Sequence, residues 1–263
     1  MATDSKTSSN GEFKNRPVKS ILISQPQPES RSPYLDLGEK FDIRVDFRPF
    51  IHVEPVAGND FRKSKISIPD FSAIILTSRN AIDHFFRVCE ELRIKMSAET
   101  KYFCSSETIA LYLQKYIQYR KRKVFFSKAR GKGLMELLIK HKANEKFLFP
   151  CSDIRKQLYP DFLDQNKFDW AEAVIYKTVA SDLSDLEEIF YDMIVFFSPT
   201  GVKSLFINFP EFQQNETRIA AFGPTTKLAI EEAELRLDIE APKLPEIKSM
   251  TFAIEQYIKA ANK

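Results

Sequence analysis

The sequence predicts an α/β protein of two similar α/β lobes with mostly parallel sheets. One lobe is inserted in the other, and a two-stranded β ladder joins them with an interdomain cleft. Three observations predict it. From Val18 onward, short apolar runs alternate with amphipathic stretches of helical length, the pattern of strand–helix units and parallel strands. The chain also repeats itself: "FSAIILTSRNAIDHFF" (71–86) lines up with "YDMIVFFSPTGVKSLF" (191–206), and "KYFCSSETIALYL" (101–113) with "RIAAFGPTTKLAI" (218–230). The offset stays at roughly 115 to 120 residues, close to one domain length. Finally, "FLFPCSDIRKQLYPDFL" echoes the N-terminal "ILISQPQPESRSPYLDL", so one lobe starts at the N-terminus and resumes only after Tyr176.

Taken in order, the opening "MATDSKTSSNGEFKNRP" (1–17) is polar and aperiodic and reads as a disordered tail. "VKSILIS" is the first strand, and "FDIRVDFRPFIHV" is a second, long enough to leave the first lobe. The inserted lobe alternates the strands "FSAIILTS", "KYFC", "KVFFS" and "KFLFP" with the helices "NAIDHFFRVCEELRI", "SETIALYLQKYI", "GLMELLIKHK" and "SDIRKQLYPDFLDQN". "WAEAVIYKTV" returns to the first lobe, which finishes with "YDMIVFFS", "TGVKSLFINF", "RIAAFG", "TTKLAIEEAEL", "LRLDIEAP" and "MTFAIEQYIKAA". The expected lobes are 18–50 plus 177–263 and 51–176, with crossing strands near 46–53 and 171–179.

Bulk properties exclude several classes. A net charge of +3 is too small to argue for nucleic acid or membrane. The basic run "YRKRKVFFSKARGK" (119–132) encloses Phe125 and Phe126, which fit a buried strand with a solvated basic rim. Cys89, Cys104 and Cys151 lack disulfide or zinc spacing. No apolar run approaches about 18 residues and no signal-peptide layout is present, so a cytoplasmic location is expected. The chain has no GxGxxG, P-loop or GxSxG motif. His52, His84 and His141 fall on unrelated segments, so neither metal nor nucleotide is expected.

What recurs is a strand followed by hydroxyl residues at a helix start: Thr77-Ser78-Arg79-Asn80, Ser105-Ser106-Glu107-Thr108, Ser152-Asp153, Ser198-Pro199-Thr200 and Gly223-Pro224-Thr225-Thr226. Each fits an N-cap. In a parallel sheet, all of these turns lie at the carboxyl ends of strands, where ligands bind. Helix N-termini there offer free N–H groups and partial positive charge to carboxylates or phosphates.

In order, "TSRNAIDHFF", "VIYKT", "FFSPTGVKSLF" and "IAAFGPTTKLAIEEAEL" resemble the uroporphyrinogen-III synthase family, over nearly all of residues 18–260. The Gly-Pro-Thr-Thr turn is the most specific match. The resemblance implies a two-lobed fold and a carbon–oxygen lyase, a cyclising hydro-lyase of heme biosynthesis that needs no cofactor. Its substrate would be hydroxymethylbilane, a linear tetrapyrrole bearing eight carboxylates. Loss of water, inversion of the terminal pyrrole ring and closure would give uroporphyrinogen III. No nucleic acid or membrane partner is implied, and a monomer is expected.

The resemblance also assigns residues. Tyr176 matches the tyrosine of the crossing strand and would act as the catalytic donor, since a phenol with a pKa of about 10 stays protonated. Thr225 and Thr226 match the threonine pair. Ser78 and Ser198 match the serines closing each lobe's first strand–helix turn, and Thr108 matches the corresponding threonine of the inserted lobe. Arg218 falls where the family often places a basic residue, and Asn80 and Arg155 sit in comparable turns as carboxylate contacts. The chain departs from the family at Ser105-Ser106-Glu107, where a glycine is usual, and at "ISQPQPES", which lacks an arginine. The alternative reading is a non-catalytic tetrapyrrole- or polyanion-binding module of the same fold.

Overall fold

The computed structural model describes residues 16–127, 132–155, 157–187, 190–241 and 249–262. Residues 1–15 of the expected tail, and 128–131 of the basic run, lie outside the described residues. Arg16 pairs with Glu216.

The chain opens with β1 (Ser20–Ile23), α1 (Pro33–Phe41), β2 (Arg44–Phe47) and β3 (Ile51–Pro55), followed by a short α2 (Gly58–Phe61). Next come β4 (Ala73–Leu76), α3 (Arg79–Glu91), β5 (Lys101–Cys104), α4 (Glu107–Tyr112), β6 (Val124–Phe126), α5 (Lys132–His141), β7 (Phe147–Ser152), α6 (Leu158–Gln165) and the long β8 (Trp170–Ala180). The remainder is β9 (Met193–Phe196), α7 (Pro199–Asn208), β10 (Arg218–Ala221), α8 (Pro224–Glu232), β11 (Ile239–Glu240) and α9 (Met250–Ala261).

Three elements differ from expectation. The single strand expected over "FDIRVDFRPFIHV" is two, β2 and β3, separated by Arg48-Pro49-Phe50; Pro49 has no N–H to give a ladder. Helix α1 was not anticipated. Its start is capped by Ser32, whose Oγ accepts from the Tyr34 N–H, with Pro33 at the first position. Helix α6 begins only at Leu158, and its N-cap Gln157 makes no side-chain cap bond, so Ser152-Asp153 is not a helix cap.

The chain divides into two compact units, one discontinuous (1–52 and 179–263) and one central (53–178). The discontinuous unit's sheet runs β11-β10-β9-β1-β2, each neighbouring pair parallel. One face packs Ile21, Ile23, Met193 and Val195 against Leu37 of α1 and Ile254 and Ile258 of α9. The other packs Leu22, Ile194 and Phe196 against Val202 and Leu205 of α7 and Ile230 of α8. This odd–even split is the two-residue strand period, and apolar cover on both faces is what a parallel sheet requires.

The second sheet runs β3-β8-β7-β4-β5-β6, with β8, β7, β4, β5 and β6 parallel in sequence. In the central unit, Ile74 and Leu76 face Ile82, Phe85 and Val88 of α3. Ala73, Ile75, Phe147 and Phe149 face Leu134 and Leu138 of α5 and Leu163 of α6. Strands β3 and β8 hold the borders between the units. Among the described residues no helix is long and apolar enough to cross a membrane.

In each sheet the strand order reverses direction at one place: between β1 and β9, and between β4 and β7. Open parallel sheets bind ligands at such points, beyond the carboxyl ends of the strands.

Candidate functional site

In the central unit, the reversal is bounded by the turns after β4 and β7. Ser78 follows β4 in extended backbone and caps α3, its Oγ accepting from the Ala81 N–H at 3.0 Å. Ser152 ends β7 and lies opposite Tyr176 of β8. The register slips between Cys151 and Ser152, so Val174 faces Cys151 while Tyr176 faces Ser152. This bulge puts Ile175 and Tyr176 into the same apolar cluster as α3, a local re-aiming that bulges produce.

The Tyr176 hydroxyl thereby comes 3.4 Å from Ser78 Oγ, with the residue only 9% exposed. Burial pushes the Tyr176 phenol up from its ordinary value, against the opposing pull of the Ser78 hydrogen bond. It therefore holds its proton through the neutral range and can donate it. The ring lies against His84, with centroids 5.1 Å apart and planes 24° from parallel.

Asp153 supports this arrangement. Its Oδ1 accepts from the N–H groups of Ile154 and Thr178 and from the Ser152 hydroxyl, each at 2.9 Å. Burial pulls the carboxyl upward, but these donors and Lys177 outweigh it and hold it below its usual value. Asp153 is thus an ionised brace of the turn.

The other expected residues of this unit are less direct. Asn80 and Thr108 are exposed in the first turns of α3 and α4. Ser106, not Thr108, caps α4 by accepting from the Ile109 N–H at 3.4 Å. Ser105 Oγ donates to the Thr77 carbonyl at 3.1 Å, tying the turns after β4 and β5 together. Arg155 is already neutralised: its Nη2 lies 2.5 Å from the Glu172 carboxylate, and its buried Nε has no hydrogen-bond partner.

In the discontinuous unit, Ser198 after β9 caps α7 by accepting from the Gly201 N–H at 3.1 Å. Ser24, at the end of β1, is 9% exposed. A Cβ on Gly201 would stand 3.5 Å from Ser198 Oγ and 3.9 Å from Ser24 Oγ, so both hydroxyls flank the α7 start. Helix α8 begins differently. Gly223 takes φ +87° with ψ 157° and supplies no side-chain cap, a backbone region essentially reserved for glycine. Thr225 is exposed, while Thr226 is 1% exposed and its Oγ1 has no hydrogen-bond partner. An uncapped helix start with an unsatisfied hydroxyl has capacity left for an anion.

Arg218 is not among these groups. It stands at the opposite end of β10, 2% exposed, donating to the Arg16 carbonyl at 2.6 Å and the Tyr257 hydroxyl at 3.3 Å. Sequence reasoning missed Ser24, His84 and the bracing role of Asp153. Ser24 had a signal in closing the strand run "ILIS" as Ser152 closes "FLFPCS", although the echo itself sets Ser24 over Pro150. His84 had none.

A family model described as uroporphyrinogen-III synthase HemD matches residues 32–251. The chain is 25% identical over 229 residues to a uroporphyrinogen-III synthase of Saccharomyces cerevisiae, covering 75% of this chain and 82% of that one. It is 22% identical over 258 residues to the enzyme of that name from Chlorobaculum parvum, covering 92% and 100%. Among solved structures, the uroporphyrinogen-III synthetase of Helicobacter pylori superposes with a TM-score of 0.59 at 17% identity, covering 92% of this chain and 99% of that one. A mutant Thermus thermophilus uroporphyrinogen III synthase gives 0.53 at 13%, covering 92% and 98%. At these identities the structural likeness speaks for the fold.

Proposed function

The chain belongs to the uroporphyrinogen-III synthase family, whose model matches residues 32–251, and from that premise we propose how its own residues carry the reaction. The reaction is a cyclising step of tetrapyrrole biosynthesis on a small-molecule substrate. The substrate is hydroxymethylbilane. Electrons from its pyrrole nitrogen expel the hydroxyl while the Tyr176 phenol donates a proton, so that water leaves. The resulting azafulvenium returns its N–H proton to the phenolate. The terminal ring then attacks through its substituted carbon, and the spiro intermediate fragments and recloses through the ring's free α-carbon with that ring inverted. Loss of the α-carbon's proton is balanced by reprotonation of the azafulvene-derived nitrogen. These steps are proton transfer and carbon–carbon bond exchange, and they call for no redox or metal chemistry.

One observation supports Tyr176 most: a buried phenol with a raised pKa, 3.4 Å from Ser78 Oγ at the carboxyl edge of a parallel sheet. Ser78 orients the hydroxyl, and the starts of α3, α7 and α8 are the proposed receivers of substrate carboxylates. Holding reacting ends together and screening charge is most of the catalytic task. A monomer in the cytoplasm is the working state proposed.

The test generates hydroxymethylbilane in situ, adds the protein, and separates the oxidised products by isomer. Uncatalysed closure gives the unflipped type I isomer, so the expected type III product requires catalysis. Type I alone, with the bilane bound, would leave a binding module in place of an enzyme.

A further inference from the structure

We infer that His84 is a positioning residue for Tyr176: its imidazole, held from behind by Arg87, keeps the phenol ring turned toward Ser78. The inference rests on the reading of Tyr176 as the proton donor.

Arg87 is the anchor. Its Nε donates to His84 Nδ1 at 3.3 Å, and its Nη2 donates to the Val56 carbonyl at 2.8 Å and the Ile175 carbonyl at 3.1 Å. Its Nη1 pairs with Glu91, whose other oxygen accepts the Gly58 N–H at 2.6 Å. One guanidinium therefore holds both the carbonyl immediately before Tyr176 and the ring stacked on its face. The bulge skips Ile175, so Tyr176, opposite Ser152, follows an irregular step of the ladder and its ring needs such a second support.

The Arg87 bond also sets the imidazole's protonation. An arginine Nε is always a donor, so Nδ1 must accept and the proton sits on Nε2. A protonated His84 would have donors at both nitrogens, and the Arg87 bond would be lost to cation–cation repulsion. The charged groups around it are Arg87 and Asp83 on its own helix. Tyr112 of α4, at 2.9 and 2.8 Å, and Tyr116 beyond it, at 2.6 Å, donate to the Asp83 carboxylate. Tyr176 faces His84 from β8, and Asp153 and Cys151 act on Tyr176 from the end of β7. Burial first, then Arg87, lower the His84 pKa against the pull of Asp83, so the clamp is intact at neutral pH. It opens only below the ordinary imidazole range.

The test measures kcat, KM and their pH dependence for type III formation by wild type, His84→Ala, His84→Phe, Tyr176→Phe and the Tyr176→Phe/His84→Ala double variant, with thermal melts alongside. His84→Ala is expected to lower kcat by about tenfold, as a displaced catalytic group does, with KM kept within about twofold. The double variant should be no slower than Tyr176→Phe alone. His84→Phe, which keeps a ring against Tyr176 and cannot titrate, should retain most of the kcat and lose the acid-side fall due to His84. Wild-type kcat in His84→Ala, an equal additional loss in the Tyr176→Phe background, or an unchanged acid limb in His84→Phe would each overturn the inference. Wild-type kcat in Tyr176→Phe would remove the donor reading itself, and the inference with it.

Discussion

Thr226 and Arg218 are eight positions apart along one strand–turn–helix, yet their surroundings assign them different tasks. Both are nearly fully buried. Arg218 spends its donors on the protein, on the Arg16 carbonyl and the Tyr257 hydroxyl, whereas Thr226 Oγ1 has no partner. A buried unpaired hydroxyl costs about 1–3 kcal/mol, and an apolar replacement of the same shape removes that cost. Thr226→Val is therefore expected to melt at or above the wild-type temperature while kcat/KM falls. Arg218→Met should do the reverse, lowering the melting temperature and leaving KM in place. Calorimetry with steady-state kinetics on the two variants checks both. The residue types of this segment were readable in the sequence. Which end of β10 each occupies was readable too, but Arg218's burial against the chain's own carbonyl was not, because it depends on a segment two hundred residues away.

Periodicity located most elements because their apolar faces are regular. β4, β5 and β9 fall inside the expected runs, and α3 and α9 coincide closely with their amphipathic stretches. The failures share a cause, local backbone geometry that leaves no periodic trace. Gly38 interrupts the pattern of α1, yet it is required there: a Cβ would stand 2.8 Å from the Ile43 carbonyl and 3.0 Å from Val45 Cγ2. Gly38→Ala is expected to destabilise by roughly 1–3 kcal/mol through overpacking, despite alanine's better helix propensity; a denaturant melt showing equal or greater stability would contradict this. The bulge in β8 is the more consequential case. Strict alternation along "AVIYK" would turn Ile175 and Tyr176 to opposite faces, whereas the register slip brings both to the α3 side. The tyrosine was identifiable from the sequence; its meeting with Ser78 and His84 was not.

Across the chain, one topology is used twice with different starting points. Under the sequence repeat, β4, β5 and β6 correspond to β9, β10 and β11, while β7 and β8 correspond to β1 and β2. The observed orders, β6-β5-β4-β7-β8 and β11-β10-β9-β1-β2, then coincide strand for strand. Ser78 and Ser152 flank one reversal as Ser198 and Ser24 flank the other, so a hydroxyl pair stands at the carboxyl edge of each sheet's reversal. Only the central unit adds a phenol opposite its serine. In the discontinuous unit β2 ends at Phe47, and the Arg48 guanidinium is engaged with Asp185 at 2.7 Å. That asymmetry favours the proposed proton donor, Tyr176, in the central unit. Because burial raises the Tyr176 pKa, the acid form persists above the ordinary phenol range, and activity carried by it is lost only as pH rises through that raised value. The most direct measurement is the single-turnover rate of type III formation by Tyr176→Phe near neutral pH. A fall of about a hundredfold or more, the scale of lost general-acid catalysis, is expected with substrate binding retained. An unchanged rate would show that the hydroxyl departs without this phenol, and would return Tyr176 to the packing of β8.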